Sequence, residues 1–269
     1  MLTKLSIKLK SDKDLPSQLG CIFHSIFLES ISNESANGFH SGSHDYRPYR
    51  SVIKKIDHNI YEWEIIGLTS AVSELITNDW KSSLVQKKYV QTFDAYLEPL
   101  ENKITFITYR DIYKNNYSNH EPDPVIRVHF NTPTSFKSNG VYIQMPNEQM
   151  ILRSLLMKWD DFSDEVKLFD FDLLNMVSEK VFISKIFHLK TIPFRMDKST
   201  INGFCGEVLL NVKNANKQII QLVNLLFDFA EYSGIGIKTA MGMGNVEVVK
   251  NINHKMYPQV TNTENSILV

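Results

Sequence analysis

Apolar and polar residues alternate from the start of the chain. Leu5, Ile7 and Leu9 are separated by Ser6, Lys8 and Lys10, a period of two that predicts a strand with one buried face. After Pro16 the period changes: Leu19, Ile22, Phe23, Ile26, Phe27 and Ile31 recur three or four apart, which predicts a helix over 19–31. Two β-rich runs, 51–57 and 60–68, flank His58-Asn59, a pair suited to a tight turn. A helix is predicted over 70–80. The stretch 85–113, rich in Tyr, Phe, Thr, Ile and Val, reads as further strand. The order is βαββαβ.

The same grammar begins again near Val125, after a loop at 117–124 that holds two prolines. Residues 125–130 alternate as a strand, and Pro146 opens a helix carrying Met150, Ile151, Leu155 and Trp159. Acidic residues then lead into an irregular or helical stretch that ends near Glu179. Residues 181–192 and 204–212 read as paired strands. Ile219, Ile220, Leu222, Val223, Leu226, Phe227 and Phe229 mark a strong helix over 215–232, and 245–249 is a last strand. Two passes of βαββαβ predict an α+β protein made of two tandem ferredoxin-like domains with antiparallel sheets, at 1–120 and 121–250. Beyond 251 no period survives, so 251–269 reads as a flexible tail.

Composition agrees with two packed cores. Of 269 residues, 43% are apolar and 22% charged, which excludes a disordered or collagenous chain. The two cysteines, Cys21 and Cys205, are too far apart in sequence to write a disulfide framework or a zinc knuckle. Neither an export signal nor a membrane-length apolar run is evident, so a reducing cytoplasm is expected, with no membrane. The formal charge is -1, so any nucleic-acid site must be local. The charge is uneven. Arg47, Arg50, Lys54 and Lys55 crowd one stretch, while Asp160, Asp161, Asp164, Glu165, Asp170 and Asp172 crowd another, so the basic stretch is the candidate surface.

Four of the 11 glycines, Gly234, Gly236, Gly242 and Gly244, fall in GIGIKTAMGMG, between the strongest helix and the last strand. Glycine permits positive φ and close backbone approach, so successive N–H groups could line a concavity for phosphate oxygens, with Lys238 adding a charge. The plain alternative is a turn. A nucleotide P-loop is excluded, because GxxxxGK[ST] is absent and the segment follows a helix instead of a strand.

GIGIKTAMGMG before a terminal strand resembles the C-terminal glycine-rich loop of the CRISPR-associated endoribonucleases of the RAMP superfamily, which cut precursor CRISPR RNA within its repeats. FHSIFLESI (23–31), RPYRSV (47–52), TPTSF (132–136), RSLLMKW (153–159) and FCGEVLL (204–210) occur in that family's order, so the resemblance spans about 5–249. It implies metal-independent cleavage that leaves a 2′,3′-cyclic phosphate and a 5′ hydroxyl, with repeat RNA as partner and no cofactor. A homodimer and transient contact with an effector complex are compatible with it.

Cleavage without a metal requires a group to take the 2′-OH proton, one to protonate the leaving oxygen, and positive charge on the phosphorane. Imidazole suits the proton transfers. The resemblance points to His40, which follows the first helix at the family's catalytic place, and His44 is the rival four residues on. The family's first-helix tyrosine is replaced here by Leu28, and its lysine falls near Tyr46 or Arg47. Arg47 would then stabilise the phosphorane, and Tyr46 would hold the scissile ribose or share a proton, with aromatic packing as its plain alternative, so the general acid is left unassigned. Arg50, Lys54, Lys238 and the amides of Gly234, Gly236, Gly242 and Gly244 are the RNA-binding candidates. Lys137, Arg153, Lys185, Lys190 and Arg195 are secondary, as residues of an ordinary solvated face. His24 reads as a packed or hydrogen-bonded helical residue. His58, His120, His129, His188 and His254 receive no role.

Two other readings stand beside the nuclease. A non-catalytic RAMP subunit that coats guide RNA would share the fold and the loop. A metal-dependent nuclease using His40, His44 and the acidic run has little support, since HSGSH lacks the glutamate of HExxH.

Overall fold

The computed structural model describes residues 1–16, 19–31, 46–78, 87–118, 121–196 and 199–249. His40, His44, His120, His254 and the expected tail lie outside them. The first sheet contains β1 (Leu2–Ser11), β2 (Tyr49–Asp57), β3 (Ile60–Gly67), β4 (Lys88–Val90) and β5 (Ala95–Ile107), in the order β2-β3-β1-β5-β4 with every pairing antiparallel. The second contains β6 (Val125–Thr134), β9 (Val181–Met196), β10 (Ser199–Val212) and β11 (Val246–Val249), in the antiparallel order β11-β6-β10-β9. A short hairpin, β7 (Phe136–Ser138) with β8 (Val141–Ile143), stands between β6 and the next helix. Apart from the edge strand β4, each sheet has its first and third strands at the centre, which is the ferredoxin-like order predicted from the repeat.

The period-two face of β1 is buried as predicted. Leu5, Ile7 and Leu9 pair with Ile65, Trp63 and Tyr61 of β3 and pack under α1 (Gly20–Glu29) and α2 (Ser70–Asn78). In the second half, α4 (Glu148–Phe162), α5 (Phe171–Ser178) and α6 (Lys217–Ser233) contribute to the other core. Trp159 is central there, edge-on to Tyr109 at 5.2 Å and to Phe229 at 5.4 Å.

The stretch 85–113 departs from the expectation of strand throughout. β5 stops at Ile107, and α3 (Tyr109–Tyr117) begins behind a capping box in which Thr108 accepts from the Asp111 amide and Asp111 accepts from the Thr108 amide. Tyr109, Ile112 and Asn116 are buried at helical spacing, so the β-prone composition yields to the cap and to packing. Asn116 Nδ2 donates to Asp228 Oδ2 at 2.7 Å and ties α3 to α6.

Each core takes in side chains from the other half. Leu2, Ile66 and Leu68 from the first sheet's end lie in the same buried cluster as Trp159, Leu226 and Phe229. Conversely, Ala240 of the glycine-rich loop lies in the first sheet's cluster with Phe23 and Trp63. Arg50 crosses the same boundary. It is only 2% exposed; Nη1 donates to the Glu231 carbonyl at 2.8 Å and Nη2 to Glu64 Oε2 at 3.1 Å. Lys4 also reaches Glu64, at 2.6 Å. Burial alone would raise the Glu64 pKa, but Arg50 and Lys4 outweigh it and hold the carboxyl below its ordinary value.

Because that folded pKa is depressed, the ion pair contributes stability above the unfolded carboxyl's pKa of about 4.3 and loses it as pH falls through the folded value. Glu64→Gln is expected to lose about 1–3 kcal/mol in urea unfolding at pH 7. The gap to the parent should close below about pH 4; a gap unchanged at pH 3 would contradict the linkage. A second prediction concerns Gly20, where an added Cβ would stand 1.9 Å from the Met241 carbonyl oxygen. Gly20→Ala should therefore lose about 1–3 kcal/mol by the same measurement, through forced separation of α1 from the loop.

Candidate functional site

The glycine-rich segment leaves the C-terminus of α6 and returns at β11. Its sequence is explained first by how tightly it is folded. An added Cβ at Gly244, where φ is +67°, would lie 2.0 Å from the Ile235 carbonyl, and one at Gly236, where φ is +80°, would lie 2.4 Å from that of Ser135. All four glycines are buried. Their N–H groups donate inside the protein: Gly234 to Ala230, Gly242 to Thr239 and Gly244 to Pro133 carbonyls, and Gly236 to Ser154 Oγ at 2.9 Å. These four amides therefore do not form the phosphate-facing cradle expected of them. Lys238, also in the left-handed region with φ 56°, is the exposed cation of the segment.

A further correction concerns the basic stretch. Arg50 was expected to meet RNA, yet its guanidinium is inside the protein, bonded to Glu231 and Glu64. Lys54 is exposed on β2 and paired with Glu62 at 2.6 Å, so its charge is already partly answered. Lys55 is likewise exposed and paired, with Asp14. Tyr46 and Arg47 are half-buried and lead directly into β2. Two residues on, Tyr49 is fully buried and its hydroxyl lies 2.8 Å from His24 Nδ1 on α1, so His24 is the hydrogen-bonded helical residue expected. Burial holds the Tyr49 phenol protonated, raising its pKa against the smaller opposing effect of Arg47.

One residue at this joint was passed over in the sequence. Lys158 lies on α4 and is 1% exposed. Its Nζ donates to the Gly234 carbonyl at 2.9 Å and to the Ser233 carbonyl at 3.3 Å, and it stands 5.1 Å from the centroid of the Tyr46 ring. Burial, and then the nearby charge of Arg50, push its pKa well below that of an ordinary lysine. The sequence signal was a spacing. Ser154 and Lys158 are four apart, hence on one side of α4, amid the apolar Ile151, Leu155 and Trp159. Both reach the glycine-rich segment.

The remaining candidates are scattered. His129 pairs with Glu207 on the second sheet at 3.1 Å, and His188 sits at a bulge in β9 with φ 50°, opposite Gly206. Among the described residues no group of three or more His, Cys, Asp or Glu is arranged to hold a metal ion, and no helix is long and apolar enough to cross a membrane. The joint therefore offers a hydrogen-bonded imidazole and phenol at its base, Tyr46 and Arg47 beside it, and an exposed lysine on the loop. This set suits an anionic ligand.

Comparison with known proteins agrees on one family. The family model for the CRISPR-associated endoribonuclease Cas6 matches residues 128–246, from β6 through the glycine-rich segment to the start of β11. The chain is 27% identical over 247 residues to a Cas6 endoribonuclease of Streptococcus thermophilus, covering 87% of this chain and 93% of that one. It is 26% identical over 258 residues to a Cas6 endoribonuclease of Mycobacterium tuberculosis, covering 92% of this chain and 78% of the relative. The fold superposes on a product complex of a Thermus thermophilus Cas6 with a TM-score of 0.76 at 17% identity, over 93% of this chain and 100% of that one. With the ferredoxin-like repeat, the glycine-rich segment and these likenesses in accord, the chain is similar over most of its length to the Cas6 CRISPR-associated endoribonucleases.

Proposed function

We propose that this protein is an endoribonuclease that matures CRISPR RNA, cutting the precursor within its repeats without a metal ion. Likeness to Cas6 endoribonucleases supports the coarse activity. The observation that carries the finer reading is the meeting of three elements at one joint: α1, the Tyr46–Arg47 approach to β2, and the glycine-rich segment with Lys238.

In this reading the imidazole of His40 takes the 2′-OH proton of the scissile ribose, with His44 as the alternative base. The 2′ oxygen attacks phosphorus, the bond from phosphorus to the 5′ oxygen breaks, and the departing oxygen takes up a proton. The products are a 2′,3′-cyclic phosphate and a 5′ hydroxyl. Arg47 offers several N–H donors to the phosphorane oxygens. Tyr46 holds the ribose. Lys238 and Lys54 attract the flanking phosphates, while hairpin shape and unstacked bases supply the choice of repeat. The buried glycines shape the loop that presents Lys238.

The test is incubation of the purified protein with the repeat RNA of its own array in EDTA, with analysis of product ends. One cut per repeat is expected, carrying the ends above. His40→Ala should slow single-turnover cleavage by about 10²–10⁴-fold while leaving RNA affinity nearly intact. If His44→Ala alone has that effect, His44 is the base. Tight binding by the parent protein with no cut in EDTA or in magnesium would instead indicate the RNA-coating subunit. A further prediction concerns salt. Lys238→Ala should weaken binding across unrelated single-stranded sequences and reduce the slope of log K on log salt by about 0.7. An unchanged slope would remove Lys238 from the interface.

A further inference from the structure

Lys158 combines features that a packing role does not require. The face of α4 around it is apolar, and Ile151, Leu155 and Trp159 fill their places with hydrocarbon. Burying an ammonium among them is costly unless its donors are satisfied. Two N–H groups are satisfied by the Ser233 and Gly234 carbonyls, at the end of α6 where the helix dipole favours a cation. The remaining side of the amino group faces the Tyr46 ring, 5.1 Å from its centroid, and the negative π face and the two carbonyls act against the burial and the Arg50 charge that disfavour the ammonium. Tyr46 comes from the other half of the chain, on the approach to β2. One side chain thus grips both the turn from which the glycine-rich segment departs and the residue that precedes Arg47. Ser154, one helical turn earlier, holds the same segment through the Gly236 amide. α4 therefore presents two adjacent polar anchors to one loop, and only the second also reaches Tyr46.

We infer that Lys158 is a positioning residue for RNA cleavage: its ammonium fixes the Tyr46 ring against the glycine-rich segment, so that Tyr46 and Arg47 are set before substrate arrives. The inference rests on the reading of Tyr46 and Arg47 as part of the cleavage site. A positioning group acts on the rate of bound substrate more than on affinity, because misplacing a reacting group by a fraction of an ångström slows chemistry without removing contacts.

The first test uses Lys158→Gln, which can still donate to a carbonyl but carries no charge for the ring. In the folded full-length protein at 25 °C, single-turnover cleavage at saturating repeat RNA should fall about tenfold, with the dissociation constant changed less than about threefold. Tyr46→Leu should also slow cleavage, and the double variant should be little slower than the slower single variant. Wild-type cleavage by Lys158→Gln, or losses that multiply in the double variant, would overturn the inference while leaving the cleavage site standing. Wild-type cleavage by both Tyr46→Leu and Arg47→Ala would take down the site reading, and this inference with it.

A second measurement holds even where substitutions at Lys158 prevent folding. Tyr46 is half-buried and lies outside the buried core clusters. In Tyr46→Leu, native-state hydrogen exchange at the Gly236 and Gly244 amides should be at least about threefold faster than in the parent. Unchanged exchange there would show that the ring and the loop are not mechanically joined, and would overturn the inference.

Discussion

The C-terminus of α6 is the point on which the rest of the structure depends. A helix ends with carbonyls that have no partner of their own, and α6 carries no basic residue in its last turn. Cations arrive from elsewhere. Arg50, from β2 of the first sheet, takes the Glu231 carbonyl, while Lys158, from α4, takes those of Ser233 and Gly234. The helix dipole makes this a favourable place for positive charge, and burial makes each bond hard to replace with water. Both sheets and the glycine-rich segment are tied to that end, so its geometry sets how Tyr46 and Arg47 stand relative to the loop.

The glycine-rich segment illustrates how one composition serves two ends. Its clustered glycines suggest open amides ready for phosphate, and in the structure the four glycine amides are engaged internally. The glycines are needed because the segment passes between two packed halves with almost no room for a Cβ. Compactness of this kind holds a neighbouring exposed group such as Lys238 in place, with the Met241 and Met243 amides donating to its carbonyl.

Much of the fold was legible because burial enforces periodicity. The alternation in β1 and the three-four spacing in α1 and α6 each reflect one face against a core, and the order of strands followed from the repeat. α3 was misread because its Tyr and Ile suit a strand equally well, and only the Thr108–Asp111 cap distinguishes the two. The β7–β8 hairpin was passed over although Asn139-Gly140, both at positive φ, is a strong turn signal. At the site, the family resemblance pointed to Tyr46 and Arg47, while the charge pattern misjudged Arg50, since sequence does not distinguish a solvated arginine from one enclosed by the opposite half. Lys158 was hidden for the converse reason. A lysine amid apolar helix residues looks like a stray surface group until the helix it caps is brought against it.

The pooling of Leu2, Ile66 and Leu68 with the interior of the second half has a consequence for how the molecule can come apart. Severing the chain between the two sheets would strand oily side chains on each fragment and leave Arg50 and the end of α6 without one another. The duplication is thus stitched across its seam, each repeat completing part of the other's interior.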